Sequence, residues 1–378
     1  MAKKQYDTII IGAGIAGLAC AKKLQENKKD FIIISENIGG RILTSDDGTA
    51  NYGAFFVCSD YNHVLKQVKL KNRIRLRDFC FHEKDKTYVL FEPKLIKYFP
   101  QFLKVLRLLY KFRKRLRILR KKCENISQKE AIKQDPFLYS IYTQNALDFV
   151  KKHKIKSGVD TYLSKALYST TFSKIDEMNA FSFLEFLIPL ITPIFLFDFE
   201  KEKMIESFKS KIKIDTVENI LFEKNNYKIF TKKSVYRCKN IVLATEIIWS
   251  KKFAGVSKHN KAVNTHMLHV KGIPRSLFSR RKYQLFDPPN NVQAMADLFD
   301  GTYLFYYKKT NPKLEDYFEK PEVLSHKHWN PAGTINGHEL IESDRGNNMY
   351  IIGDYNIAGL EEAYITGIFA ANRIIKNS

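Results

Sequence analysis

The sequence has few cysteines and no pattern among them. Five occur in 378 residues without a Cys-x-x-Cys pair, namely Cys20, Cys58, Cys80, Cys123 and Cys238. Disulfide frameworks and zinc sites both need cysteines at regular spacings, so neither is expected here. Unpaired thiols are typical of a reducing compartment, and we recognise no secretory signal. The sequence therefore predicts a cytoplasmic protein without a metal site.

The sequence also lacks a long uninterrupted hydrophobic run. Its most apolar stretch, residues 181–199, contains Pro189 and Pro193 and carries Glu185. Prolines break a helix, and a carboxylate is costly in lipid. We expect this stretch to form the core of a substrate domain. The alternative is the wall of an apolar tunnel or a monotopic membrane attachment.

Acidic residues are scarce relative to basic ones. The chain has 40 of the former and 63 of the latter, which gives a net charge of +23. Such a field attracts nucleic acid, acidic lipid or an acidic substrate. The alternative is that the lysine-rich composition merely reflects codon bias and indicates no partner.

Residues 104–122 concentrate this basic charge. Ten Lys or Arg residues surround an apolar helical face that consists of Val105, Leu108, Leu109, Phe112, Leu116 and Leu119. The pattern is typical of a peripheral helix on an anionic membrane surface. The interpretation that we favour is a helix that caps the substrate domain and exposes its basic side to water. Nucleic acid is the less favoured partner, because the basic residues alternate with aliphatic rather than aromatic side chains.

The start of the chain does contain a nucleotide-binding motif. A predicted buried strand over residues 9–11 runs into a G-x-G-x-x-G turn and a helix, and a second strand ends before Glu36. The first glycine permits the turn, the second admits a pyrophosphate, and the third allows close helix–strand packing. The acid is placed to accept hydrogen bonds from ribose. The predicted cofactor residues here are Gly12, Gly14, Ala16, Gly17 and Glu36.

A second glycine pair identifies the dinucleotide. The segment "ENIGGRILT" places Gly39, Gly40 and Arg41 after the acid, where an arginine would make paired hydrogen bonds to phosphate. This arrangement resembles the flavoproteins of the amine oxidase and phytoene desaturase superfamily. The segment "TANYGAFFV" resembles the next signature of that family, with Gly53 and Ala54 near the flavin. The resemblance implies that the cofactor is FAD.

Two later stretches extend the resemblance. Residues 215–245 are predicted to form a strand, a hairpin and a strand. Residues 349–367, "MYIIGDYNIAGLEEAYITG", are predicted to form a short strand, a Gly-Asp turn and a helix. The resemblance implies cofactor contacts from Val217, Ala244, Thr245, Gly353, Asp354, Leu360, Glu361 and Ala363.

The terminal helix has a distinct predicted role. The resemblance places its N-terminus at the pyrimidine end of the flavin, where the helix dipole stabilises the reduced anion. A carboxylate at that place would oppose the anion. We therefore expect the Glu361 side chain to point away from the ring.

These motifs define the predicted fold and domains. The fold class is α/β, a Rossmann-type FAD-binding domain with an inserted α+β substrate domain. We assign residues 1–60, 205–252 and 341–378 to the FAD-binding domain. Residues 61–204 and 253–340 form the predicted substrate domain.

Catalytic residues are harder to place. Amine oxidases of the family usually carry a lysine beside flavin N5, and the predicted strand 262–270 has histidines instead. The candidates are His266 on that strand, and Trp329 and Tyr355, which are close to the terminal motif.

The sequence thus predicts an FAD-dependent oxidoreductase. A small or apolar substrate, either an amine or a lipid, would give up hydride to flavin N5. Two alternatives remain open. One is a non-catalytic flavoprotein whose basic surface binds a partner or a membrane, and the other is an RNA-modifying flavoenzyme.

Overall fold

The computed structural model describes residues 4–46, 48, 50–84, 86–288 and 290–377. The strands are β1 Lys4–Gly14, β2 Phe31–Gly39, β3 Val57–Cys58, β4 Val68–Ile74, β5 Phe79–Glu83, β6 Lys86–Val89, β7 Ile194–Phe199, β8 Ile212–Ile214, β9 Val217–Glu223, β10 Asn226–Thr231, β11 Val235–Leu243, β12 Lys261–Pro274, β13 Tyr283–Phe286, β14 Val292–Asp297, β15 Thr302–Tyr307, β16 Phe318–Asn336 and β17 Met349–Ile351. The helices are α1 Ile15–Glu26, α2 Lys94–Lys122, α3 Gln128–Lys133, α4 Pro136–Thr143, α5 Ala146–Lys152, α6 Lys156–Gly158, α7 Ser164–Thr171, α8 Ala180–Glu185, α9 Lys201–Ile205, α10 Ile247–Ala254, α11 Ser276–Ser279 and α12 Leu360–Lys376.

The first sheet has the order β8-β2-β1-β11-β10-β9, and β17 pairs with β11. Strands β8, β2, β1, β11 and β17 are parallel, whereas β9 and β10 form an antiparallel hairpin. Ile9, Ile10 and Ile33 are fully buried, as expected for a parallel sheet that is covered on both faces. The carboxyl ends of the parallel strands meet at one edge, so their following turns gather there. These elements confirm the predicted strand–turn–helix segments at both ends of the chain.

The second sheet has the order β16-β12-β15-β14-β13-β5-β6. The predicted strand 262–270 lies within β12, which pairs antiparallel with β15. A smaller sheet, β3-β7-β4, lies in the stretch that follows the first cofactor turns.

Helix α2 uses its predicted apolar face for the protein core. Val105, Leu109, Leu116 and Leu119 are all at most 2% exposed, and the ring of Phe112 packs edge-on against Phe181 at 5.0 Å. The interpretation in which this face lies on lipid is therefore wrong, because the helical part of the chain already covers it. The helix is a domain-capping helix with a solvated basic side, as the favoured interpretation predicted.

The apolar stretch 181–199 contributes both to the core and to the wall of a cavity. Phe181 and Phe183 in α8 are fully buried. Residues 185–190 and Ile194 line the cavity described below. Within the ranges that the structure describes, no helix is both long and apolar enough to cross a membrane.

Candidate cofactor and substrate site

A continuous cavity of about 820 Å³ joins the edge of the first sheet to the face of the second. One end is formed by the turns that follow β1, β2, β11 and β17. The other end is lined by apolar and aromatic side chains of α2, α8, β13–β15 and the segments between them. The predicted cofactor residues that line it are Gly12, Gly14, Ala16, Glu36, Gly39, Gly40, Arg41, Gly53, Ala54, Val217, Ala244, Thr245, Gly353, Asp354, Leu360 and Ala363.

The glycines of the first turn are of two kinds: two are needed for close packing, and one faces open space. A Cβ on Gly12 would lie 2.3 Å from the Ala244 carbonyl oxygen, and a Cβ on Gly17 would lie 2.1 Å from the Gly12 carbonyl oxygen. At Gly14, in contrast, no described atom lies within 4 Å of a built Cβ. Gly14 is also the N-cap residue of α1, whose N-terminal N–H groups can donate hydrogen bonds to a phosphate. The turn therefore has the close packing and the open space that a bound pyrophosphate requires.

Two acids, Glu36 and Glu246, line the cavity next to this turn. The Ser35 hydroxyl accepts a hydrogen bond from Ala13 N at 3.1 Å and donates one to the Asn37 carbonyl at 2.7 Å, which fixes the chain before and after Glu36. Glu246 lines the same part of the cavity, and its pKa is raised by burial, with Arg41 opposing and Glu36 adding to the shift. Sequence reasoning missed Glu246, although it directly follows the predicted Ala244-Thr245 turn.

Arg41 joins the first and last cofactor motifs. Its Nη1 and Nη2 donate to the two carboxylate oxygens of Asp354 at 2.7 and 2.5 Å, and Nη1 also donates to the Ala332 carbonyl at 3.1 Å. The prediction was that these paired hydrogen bonds go to a phosphate. In the structure they hold together turns that are 313 residues apart. Gly53 is needed beside them, because a Cβ there would lie 1.9 Å from the Arg41 carbonyl oxygen.

The Glu361 side chain faces away from the cavity, as expected. Its fully buried carboxylate accepts hydrogen bonds from the backbone N–H groups of Asn62, His63 and Val64 at 2.8 to 2.9 Å. The side chain therefore secures the loop after β3 to the start of α12. Glu361 and Gly17 are the two predicted cofactor residues that lie outside the described lining of the cavity.

A buried charged cluster adjoins this helix start. Arg120 Nε donates to Glu362 Oε1 at 2.7 Å, and Arg113 Nε donates to Asp60 Oδ2 at 3.2 Å. Glu185 lies in the same cluster and lines the cavity. Within the described residues, both of its carboxylate oxygens are buried and neither has a hydrogen-bond partner. Burial raises the pKa of Glu185 well above its usual range, and the Glu362 charge adds to this shift while Arg120 opposes it.

The aromatic end of the cavity contains three residues that sequence reasoning did not select, namely Tyr52, Phe172 and Tyr283. Phe172 stacks on Tyr306 with ring centroids 5.5 Å apart, and both line the cavity with Tyr52 and Tyr283. Phe172 has a φ of +59°, a left-handed conformation that is uncommon for a bulky residue. Such backbone strain is held in place by surrounding packing and often marks a functional surface.

The three predicted catalytic candidates have different environments. Trp329 lines the cavity, and its Nε1 donates to the Tyr52 carbonyl at 3.0 Å. His266 and Tyr355 lie outside the lining that the described residues form. The ring of His266 stacks on that of His328, with the ring centroids 4.1 Å apart, and the Tyr355 hydroxyl donates a hydrogen bond to the Thr245 carbonyl. Of the three, Trp329 is therefore the one that faces the site.

Comparison with known sequences identifies the nucleotide-binding part. Residues 10–69 match the family described as NAD(P)-binding Rossmann-like domain. A segment of 74 residues is 32% identical to "Amine oxidase [flavin-containing] A" of Equus caballus. That match spans 18% of this chain and 14% of the horse protein.

Comparison with solved structures covers almost the whole chain. Putrescine oxidase with bound putrescine has a TM-score of 0.69 at 12% identity, over 99% of this chain and 100% of the other. Cyclohexylamine oxidase from Brevibacterium oxydans has a TM-score of 0.67 at 14% identity, over 98% and 99%. A fatty acid isomerase from P. acnes that produces CLA has a TM-score of 0.70 at 14% identity, over 97% and 98%.

These similarities establish the class of fold. The chain shares the α/β fold of these solved structures, with a Rossmann-type nucleotide-binding part. The predicted fold class and family resemblance are confirmed.

Proposed function

We propose that this protein is an FAD-dependent oxidoreductase that oxidises a small amine with an apolar body. The observation that carries the proposal is the shared cavity. It joins a dinucleotide-type cradle around Gly14 to a pocket that contains Tyr306 and Trp329. Bound FAD would accept a hydride equivalent from a substrate carbon, which is the chemistry that the cofactor itself supplies.

The residues of this chain would bind the cofactor, orient the substrate and enclose both. The N–H groups at the start of α1 would hold the pyrophosphate, and Glu36 would accept hydrogen bonds from ribose. Phe172, Tyr306 and Trp329 would hold the substrate carbon in place and exclude water from it. A C–H bond beside a neutral amine needs no strong protein base, so the selection of substrate falls to the pocket.

Anaerobic reduction of the flavin tests this proposal. Purified holoprotein is mixed without oxygen with octylamine, 1-octanol or octanoate, and the flavin absorbance is followed. We expect octylamine to bleach the flavin and the other two to leave it oxidised. Bleaching by none of a wider panel of primary, secondary and aromatic amines would contradict amine oxidation.

We also propose that the protein attaches to anionic membranes through an exposed part of α2. The α2 apolar patch consists of Phe91, which precedes the helix, and of Ile96, Phe99 and Leu103 in its first turns. These four side chains are exposed by 64%, 76%, 56% and 39%. The last three are spaced i, i+3 and i+7, so they share one helical face. Exposed Lys94, Lys97 and Lys104 flank this face. An apolar patch within a basic rim suits an anionic lipid surface, where each basic residue contributes about 1 kcal/mol.

Vesicle co-sedimentation tests the membrane proposal. We expect the protein to bind phosphatidylserine-containing vesicles more than pure phosphatidylcholine vesicles, and less at high salt. Phe99→Asp should remove most of the binding. The matched control is Tyr139→Asp on α4, which is 40% exposed outside the patch and should leave the binding unchanged. Equal loss from both variants, or no preference for anionic vesicles, would contradict the proposal.

A further inference from the structure

The buried cluster beside α12 contains one carboxyl group more than its arginines and backbone N–H groups satisfy. Asp60 is paired with Arg113, and Glu362 is paired with Arg120. Glu361 is satisfied by three backbone N–H groups. Glu185 is the remaining acid, and it is the one whose side chain lines the cavity.

Such a carboxyl group has two ways to be satisfied. It can keep its proton, or it can ionise against a cation that enters through the cavity. An ammonium group has three N–H donors and a positive charge, so it would satisfy both carboxylate oxygens at once. The neighbours of Glu185 in the lining, Phe186, Leu187, Ile188 and Leu116, would contact the apolar body attached to that group.

The other charges of the cluster disfavour an anionic ligand. Arg120 also lines the cavity, but its guanidinium already donates hydrogen bonds to Glu362 and to the Asp60 carbonyl, and it lies over the Tyr61 ring. An anion there would meet the carboxylates of Glu362 and Asp60, and it would have no free cation to pair with among the described residues of this wall. The electrostatics of this wall therefore select a cation.

We propose that Glu185 binds the ammonium group of an alkylamine substrate and that it releases its own proton to solvent when the amine binds. The inference rests on the proposed amine oxidation and names the residue that selects the amine. The proton balance is simple. The protonated acid and the alkylammonium ion become a carboxylate–ammonium pair, and one proton passes to the buffer. Before oxidation the ammonium group passes a proton back to the Glu185 carboxylate, so the amine beside the reacting C–H bond is neutral.

Isothermal titration of the FAD-loaded protein with matched eight-carbon probes tests the proposal. Octylammonium, 1-octanol and octanoate share a tail and differ in the charge of the head group. We expect octylammonium to bind most tightly. We also expect amine binding to release protons, which is read from titrations in two buffers of different ionisation enthalpy.

Substitution of Glu185 then measures its contribution to amine binding. Glu185→Gln should weaken octylammonium binding by about 10- to 100-fold, abolish the proton release, and leave 1-octanol binding unchanged. Glu177→Gln is the matched control, since Glu177 lies outside the described lining of the cavity, and it should behave as the parent. If Glu185→Gln fails to fold, Glu185→Asp takes its place and should still prefer octylammonium to 1-octanol.

Affinity should also depend on pH. Octylammonium should bind more tightly as the pH rises through the range in which free Glu185 keeps its proton. The titratable and charged groups that interact with Glu185 are Tyr61, Arg120, Tyr142 and Glu362.

Three results would overturn the inference. They are tighter binding of octanoate than of octylammonium, equal weakening of all three probes in Glu185→Gln, and loss of FAD from that variant with unchanged octylammonium affinity. The proposed oxidation fails separately. If octylammonium binds with proton release but does not reduce the flavin, the role of Glu185 stands and the redox proposal falls.

Discussion

Replacement of Arg120 by methionine would test the buried cluster most sharply. The Arg120 side chain is 6% exposed and Glu362 is 3% exposed, so methionine would leave a buried carboxylate without its cation. Breaking a buried ion pair on one side typically costs about 3–5 kcal/mol. With an unfolding entropy of about 2.1 cal/mol/K per residue, a chain of this length has about 0.8 kcal/mol/K, so Tm should fall by about 4–6 °C.

The same helix supplies a matched control. Arg115 pairs with Asp135 at 3.1 Å, but its side chain is 47% exposed. Surface pairs of this kind contribute about 0–1 kcal/mol, so Arg115→Met should lower Tm by at most about 1 °C. The assay is differential scanning calorimetry of the FAD-loaded variants at one pH and one protein concentration.

A double variant separates the charge from the packing. Arg120→Met with Glu362→Gln should recover a large part of the loss, because no ionised carboxylate then remains without its arginine. Equal Tm values for Arg120→Met and Arg115→Met would refute the reasoning. A double variant that is less stable than Arg120→Met would do the same.

Three further predictions concern the cofactor cradle and the two glutamates beside it. Gly14→Val should fold with unchanged Tm in the apoprotein and lose FAD, whereas Gly53→Ala should lower the Tm of the apoprotein because its Cβ has no room. Tm and bound flavin are measured for both variants. A folded Gly14→Val variant that still binds FAD fully would be contrary evidence. Glu361→Gln should retain FAD and lower the free energy of unfolding, measured with denaturant, by about 1.5–3 kcal/mol. The reason is that the amide nitrogen cannot accept one of the three backbone hydrogen bonds. Unchanged stability would count against this prediction. The raised pKa of Glu185 means that the folded protein keeps a proton that the unfolded chain releases, so the parent loses stability as pH rises above about 4.3. Relative to the parent, Glu185→Gln should therefore gain about 1.4 kcal/mol per pH unit up to the folded pKa, and a pH-independent difference in unfolding free energy would contradict this.

The parts of the site that could be predicted from the sequence are local. The role of each glycine in the first turn follows from neighbours a few residues away, so spacing alone identified Gly12, Gly14 and Gly17. The terminal strand, turn and helix were predictable for the same reason. The domain boundaries at residues 60, 205, 252 and 341 remain proposals.

The parts that could not be predicted depend on contacts between distant segments. The bond between Arg41 and Asp354 joins turns 313 residues apart, and no local pattern signals it. The apolar face of α2 was visible in the sequence, but its periodicity does not say whether protein or lipid covers it. Glu185 stood out as a charge in an apolar stretch, which excluded a membrane span but gave no sign of the cavity. The left-handed backbone at Phe172 likewise has no sequence signal.

Identification of the bound cofactor tests the central claim most directly. The purified protein is denatured, and the released small molecules are identified by mass and quantified against the chain. The account predicts FAD at about one per chain, and its loss from Gly14→Val. Release of a nicotinamide nucleotide alone from well-folded protein, or of no nucleotide after supplementation with FAD, would contradict it.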